Sequence, residues 1–201
     1  MAAALLPCFA GLLAASQALA EPAQVLLVRH GHKTPGGSTY NLSPEGLQRA
    51  LALAALIPAC FGKPDQIHAF GLDLATNKNA RSYQTAVPLA VATGITIQID
   101  AESTARSREI GEQILNSRAN SGANIVMFWE HRHLPELAAG LGWPSMRPIA
   151  DDNFDQLFLL DYNGSARPPR VSVYSQQDLL QGLKPCKSFG VAPLSPRRSD
   201  P

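Results

Sequence analysis

The chain has 201 residues, 16% of them charged, and a formal net charge of +1. That length suits one domain with a real core and requires no second one. The even charge balance gives no basis for binding nucleic acid or for a polybasic membrane contact, so any bound anion must be held by a few converging side chains.

Residues 1–20, MAAALLPCFAGLLAASQALA, hold no charged side chain and close on Ala18-Leu19-Ala20, just before Glu21-Pro22. A small-x-small ending where an apolar run stops reads as a secretory signal peptide, although the usual N-terminal Lys or Arg is absent. An uncleaved membrane anchor or an alanine-rich first helix would use the same residues. The expected organisation is a signal peptide over 1–20, a single domain over 21–183 and a fraying tail over 184–201, rich in Pro, Ser and Arg. Export places the domain in the periplasm or outside the cell. There Cys60 and Cys186 remain once Cys8 has left with the signal, either as a disulfide or as two separately buried thiols.

VLLV (25–28) is a continuously apolar run of the kind found in a strand covered on both faces, and the polar RHGHKTPGGSTYN after it is a loop. Ser43-Pro44-Glu45 then supplies an N-cap, a first-turn proline and a first-turn acid for a helix through LQRALALAALI, which Pro58 is expected to close. QIHAF (66–70) is the second strand. ARSYQTAVPLAVA is a helix weakened by Pro88. ITIQI (95–99) is the third strand, after which Ser107 is expected to cap a helix through Glu109, Gln113 and Leu115. Residues 124–129 form a fourth apolar run, followed by EHRH and a helix from Leu134-Pro135-Glu136 to Gly140 or Gly142. Residues 157–160 and 171–174 are shorter strands. Such alternation implies an α/β layered sheet, with ligands gathering beyond the carboxyl ends of the strands.

The reactive side chains fall at those ends. His30-Gly31-His32 and His131-Arg132-His133 each follow an apolar run and could supply metal ligands or nucleophilic and acid–base imidazoles. Arg29, Lys33 and Arg132 decide between these readings, because a divalent cation among fixed positive charges is penalised where a phosphate dianion is stabilised. A neutral imidazole at His30 can attack phosphorus and carry the phosphoryl group. Arg29 and Arg81 can each offer a planar fork of donors to its oxygens.

VLLVRHGHK and the later LSPEGLQRA resemble the signature of the histidine phosphatase superfamily in its phosphoglycerate mutase-like branch. ARSYQTA is similar to that family's second-arginine motif, and VMFWEHRHLPELAAGLG to the segment carrying its second histidine. These matches occur in order and cover residues 25 to about 142. The resemblance implies a three-layer phosphoglycerate mutase-like fold, with a mostly parallel sheet and helices on both faces. It makes His30 the phosphorylated nucleophile, Arg29 and Arg81 the phosphate clamps and His131 a second imidazole on the phosphoryl oxygens. In that branch the proton donor is a glutamate between the second arginine and the second histidine, which makes Glu109 the first candidate and Glu102 the second. Glu130, next to His131, is expected to point to the opposite face by strand alternation. The branch with an aspartate directly after the second histidine is not matched, since Arg132 stands there. His32 replaces a frequent glutamate and is read as lining the loop, with His133 as a bystander.

The reading is therefore an exported, metal-independent phosphatase with no cofactor, acting on a phosphorylated small molecule as a phosphomonoester or phosphoanhydride. A noncatalytic anion-binding protein of the same fold and a His-x-His metal hydrolase are the alternatives.

Overall fold

In the computed structural model, residues 21–36, 39–100, 104–163, 167–182 and 186 are described. Residues 1–20, expected to be a signal peptide, nearly all of the tail and Glu102 lie outside them. Among the described residues no helix is long and apolar enough to cross a membrane.

The first strand, β1 (Gln24–Arg29), is buried along its whole length, and its alternate residues enter two separate cores. Val25 and Leu27 belong to one, Leu26 and Val28 to the other, because successive strand side chains leave opposite faces of the sheet. The remaining strands are β2 (Gln66–Ala69), β3 (Ile97–Ile99), β4 (Asn124–Trp129), β5 (Gln156–Asp161) and β6 (Arg170–Ser175). Their order in the sheet is β3-β2-β4-β1-β5-β6. The first four in that order run parallel, and β5 and β6 are antiparallel additions at one side. All six expected strands form.

Helices α1 (Pro44–Phe61) and α2 (Ala80–Thr93) cover one face, with Leu53, Ile57 and Leu89 buried against it. Helices α3 (Thr104–Asn116) and α4 (Leu134–Gly140) cover the other, through Ile110, Ile114, Leu134 and Leu137. The result is a three-layer α/β sandwich. A short α5 (Gln176–Leu180) adds Leu179 to the α1 side.

Ser43 caps α1 as its sequence implies, its Oγ accepting from the Gly46 amide at 3.1 Å. Two local expectations fail, those for Pro58 and Ser107, while the helix expected through Pro88 forms. Pro58 does not close α1, which runs one more turn and buries Cys60 and Phe61. Pro88 lies inside an unbroken α2. In both cases burial of the helix outweighs one missing backbone donor. Ser107 is an interior residue of α3 rather than its cap, and its buried Oγ accepts from Trp129 Nε1 at 3.1 Å. Cys60 and Cys186 form a disulfide that ties the start of the C-terminal segment to the end of α1.

Candidate active site

The register between β1 and β4 builds the site. Arg29 pairs with Trp129, and the His30 amide donates to the Trp129 carbonyl at 3.0 Å. The residues just past these two parallel strands, His30 on one and Glu130 and His131 on the other, therefore emerge side by side. The rings of His30 and His131 meet edge to face with centroids 5.9 Å apart.

His30 is 1% exposed. Its Nδ1 lies 2.9 Å from the Gly31 carbonyl. A carbonyl only accepts, so Nδ1 carries the proton and Nε2 keeps its lone pair. Nε2 has no hydrogen-bond partner. Burial first, then the charge of Arg81, pulls the ring down from 6.5 to about 3, so it is neutral at physiological pH. A buried, neutral imidazole with one nitrogen tied and the other bare is the state a nucleophile requires.

The loop bearing it is fixed by close contacts. A Cβ on Gly31 would come within 2.7 Å of Leu42 Cδ2 and 3.0 Å of the Gly46 carbonyl, while one on Gly46 would strike the His32 carbonyl at 2.6 Å. Both positions need glycine because the loop lies directly on the first turn of α1. From the other side, Thr85 Oγ1 accepts from the Gly31 amide at 2.8 Å and donates to the Arg81 carbonyl at 2.6 Å. One hydroxyl thus locks the nucleophile loop to the start of α2. That helix brings Arg81 close enough to act on His30. The Arg81 guanidinium is half-buried, and among the described residues no acceptor takes its hydrogens.

Arg29 is differently employed. Its Nη1 donates to the carbonyls of Ala150 and Asn153 at 2.8 and 2.6 Å, and its Nη2 to that of Asp151 at 2.7 Å. The guanidinium also lies 3.7 Å from the centre of the Phe154 ring. It anchors the loop between α4 and β5, with only Nε unpartnered. Burial lowers it to about 10, which leaves it cationic at neutral pH. Behind it Arg49 of α1 donates from Nη1 to the Arg29 carbonyl at 2.9 Å.

His131 stands between two carboxylates. Its Nε2 is 2.7 Å from Asp151 Oδ1 and its Nδ1 is 3.0 Å from Glu130 Oε1, the latter outside hydrogen-bond geometry. Glu130 also receives the Arg132 amide and Nε at 2.8 and 3.0 Å. Burial pushes the Glu130 carboxyl up, but His131 and Arg132 outweigh it and hold it at about 2. The expectation that Glu130 faces away is thus overturned: β4 ends at Trp129, so the alternation that would have turned Glu130 aside stops one residue before it.

Glu109 lies on the exposed side of α3, and the carboxylates brought onto His131 are Glu130 and Asp151. His32 stacks on Phe154 at 3.7 Å between centroids, lining the loop as expected. His133 stacks on Phe70 at 4.8 Å, with Nε2 3.7 Å from Glu130 Oε2. Lys33 is exposed. Sequence reasoning did not single out Asp151, Phe154, Thr85 or Arg49: Asp151 and Phe154 sit in no motif, and Thr85 and Arg49 lie inside ARSYQTA and LSPEGLQRA, where only Arg81 was given a role.

A mixed sheet in this order, layered between helices, is the phosphoglycerate mutase-like α/β fold. The solved structures it resembles include a mycobacterial glucosyl-3-phosphoglycerate phosphatase, at 17% identity over 76% of this chain and 98% of that one, with a TM-score of 0.54. A phosphoserine phosphatase from Entamoeba histolytica, in complex with 3-phosphoglyceric acid, is 18% identical over 78% and 98%, also at 0.54. A phosphoglycerate mutase from Bacillus anthracis is 8% identical over 83% and 99%, at 0.53. At these identities the likeness is one of fold. No protein-family model and no curated protein matches the sequence.

Proposed function

We propose that this chain is an exported phosphatase that hydrolyses a phosphomonoester or phosphoanhydride of a small molecule through a phosphohistidine at His30, without a metal. The observation that carries this reading is the bare, buried Nε2 of a ring whose other nitrogen is fixed on the Gly31 carbonyl. Nε2 attacks phosphorus as the bond to the leaving oxygen breaks, and water then displaces the phosphoryl group from the ring. Arg81, uncommitted to protein acceptors, takes the phosphoryl oxygens. His131, oriented by Asp151 and Glu130 in the free protein, turns one ring N–H from its carboxylate to donate to a further phosphoryl oxygen. Arg29 contributes its charge and holds the covering loop. Phosphatases among the solved structures of this fold support phosphate-ester hydrolysis as the class of reaction.

Glu130 and Asp151 are both pulled toward the ionised form by their neighbours, which fits them to hold His131 rather than to donate a proton. Glu109 and Glu102 are the proposed donors, and a glutamine at each tests them. Loss should be greatest with a poor leaving group.

The alternative of a noncatalytic anion-binding protein is favoured by one feature. His30 is closed off, and both terminal nitrogens of Arg29 are occupied by backbone carbonyls. Incubation of wild type and His30→Ala with an aryl phosphate separates the two readings. A phosphatase gives turnover and an acid-labile, base-stable phosphoprotein in the wild type alone. Wild type that binds phosphate but turns over no donor is the binding protein.

A further inference from the structure

We propose that His30 Nε2, His131 Nδ1 and a Glu130 carboxylate oxygen form a site for a zinc-type divalent cation, which captures the nucleophile's lone pair and so inhibits the chemistry proposed above. The inhibitory part rests on the phosphatase reading. The cation site does not.

One ligand atom from each of His30, His131 and Glu130 lies within 4.8 Å of the other two, and all three residues are buried. Two imidazoles and one carboxylate are a donor set that borderline divalent cations accept, at about 2.0–2.2 Å per bond. The 3.0 Å between His131 Nδ1 and Glu130 Oε1 is a little under the about 3.4 Å that two ligands of a tetrahedral ion keep at such bond lengths. A small closing movement of His30 toward them completes the set.

The outer contacts favour the same arrangement. A metal-bound histidine usually donates its other ring N–H to a carbonyl or carboxylate, which fixes the ring and its tautomer. His30 does so to the Gly31 carbonyl at 2.9 Å, and His131 to Asp151 at 2.7 Å. The nitrogens this leaves bare, His30 Nε2 and His131 Nδ1, are buried and have no hydrogen-bond partner.

The positive charges nearby do not close the site. Arg29 is spread over three carbonyls and Arg132 is paired with Glu130, which leaves Arg81 as the cation without a partner among the described residues. Arg81 therefore has opposite effects on the two ligands, drawing phosphate in and opposing zinc.

The test titrates the untagged full chain with zinc against a chromophoric chelator and follows aryl phosphate turnover in parallel. Cobalt absorption gives a second readout of the ligand set. Expected are one bound zinc, at least about tenfold weaker binding in Glu130→Gln and in His30→Ala, and tighter binding in Arg81→Ala. Turnover should fall along the zinc binding curve and return on chelation. No stoichiometric binding, or binding unchanged in both ligand variants, overturns the site. Turnover that requires zinc overturns the inhibitory role. Zinc binding that the variants weaken, with no turnover before or after chelation, upholds the site and removes the phosphatase reading instead.

Discussion

Two buried histidines end up at opposite kinds of position in this sheet. His68, on β2, has both ring nitrogens satisfied: Nδ1 meets Asp100 at 2.7 Å and Nε2 meets Gln66 Oε1 at 3.1 Å. The chain continues from Gln66 Nε2 to Asn120 Oδ1 at 2.8 Å, and from Asn120 Nδ2 to the Ile114 carbonyl at 2.8 Å. Both amides and both ring nitrogens of that network are hydrogen-bonded within the fold. His30, one residue past β1, has one nitrogen tied and the other buried without a partner. A polar atom left unsatisfied in the interior costs stability. His30 bears that cost where a reacting group would sit, whereas His68 is a fastening for β2, β3 and α3. Burial alone distinguishes nothing between them, and hydrogen-bond satisfaction does.

The comparison breaks most sharply under substitution. His30→Ala should lower kcat/KM by at least about a thousandfold while leaving the urea midpoint near that of the wild type. A variant that keeps its turnover would remove the nucleophile. Arg81→Ala should reduce kcat by about a hundred- to a thousandfold, and steady-state kinetics on the same aryl phosphate would show it. A change in KM alone would make Arg81 a binding residue only.

His68→Ala should do the reverse. It strands Asp100 and the Gln66 carbonyl oxygen and opens a cavity, at about 2–4 kcal/mol of stability, with turnover at permissive temperature close to that of the wild type. Denaturant unfolding beside a kinetic assay measures both. A loss of activity without a loss of stability would place His68 in the chemistry and erase the contrast.

The smallest effect is in pH dependence. Unfolded, His30 takes up a proton near 6.5, and folded only near 3, so between those values the unfolded chain binds more protons. Stability from this residue is therefore full above about 6.5 and declines as the pH falls toward 3. Glu130 adds a loss lower down, as the pH drops from 4.5 toward its folded value of about 2. Urea midpoints from pH 7 to 4 should fall more steeply for wild type than for His30→Asn. Parallel curves would mean that the His30 ring is not held neutral.

Much of the framework was legible in the chain. Alternating and continuous apolar runs marked all six strands, Ser43-Pro44-Glu45 marked the start of α1, and the motif order placed His30, Arg81 and His131 together. What was misread was local in origin but decided at a distance. Pro58 looked like a helix stop and Pro88 like a weak point, yet the buried faces of α1 and α2 carry the helices past them. Ser107 had the composition of a cap, but it is enclosed beneath Trp129 as that ring's acceptor. Glu130 was dismissed because the strand was assumed to include it.

The sequence by itself determined the elements, their order and the place of His30 just past the first strand, since hydrophobic period, capping chemistry and motif spacing are local properties. Tertiary structure decided the rest. It brought Glu130 and Asp151 onto His131, sent Arg29 to carbonyls more than a hundred residues away, closed Cys60 on Cys186 and left Arg81 as the uncommitted cation. Each of these depends on which segments the packed layers set side by side, and no local pattern records that pairing.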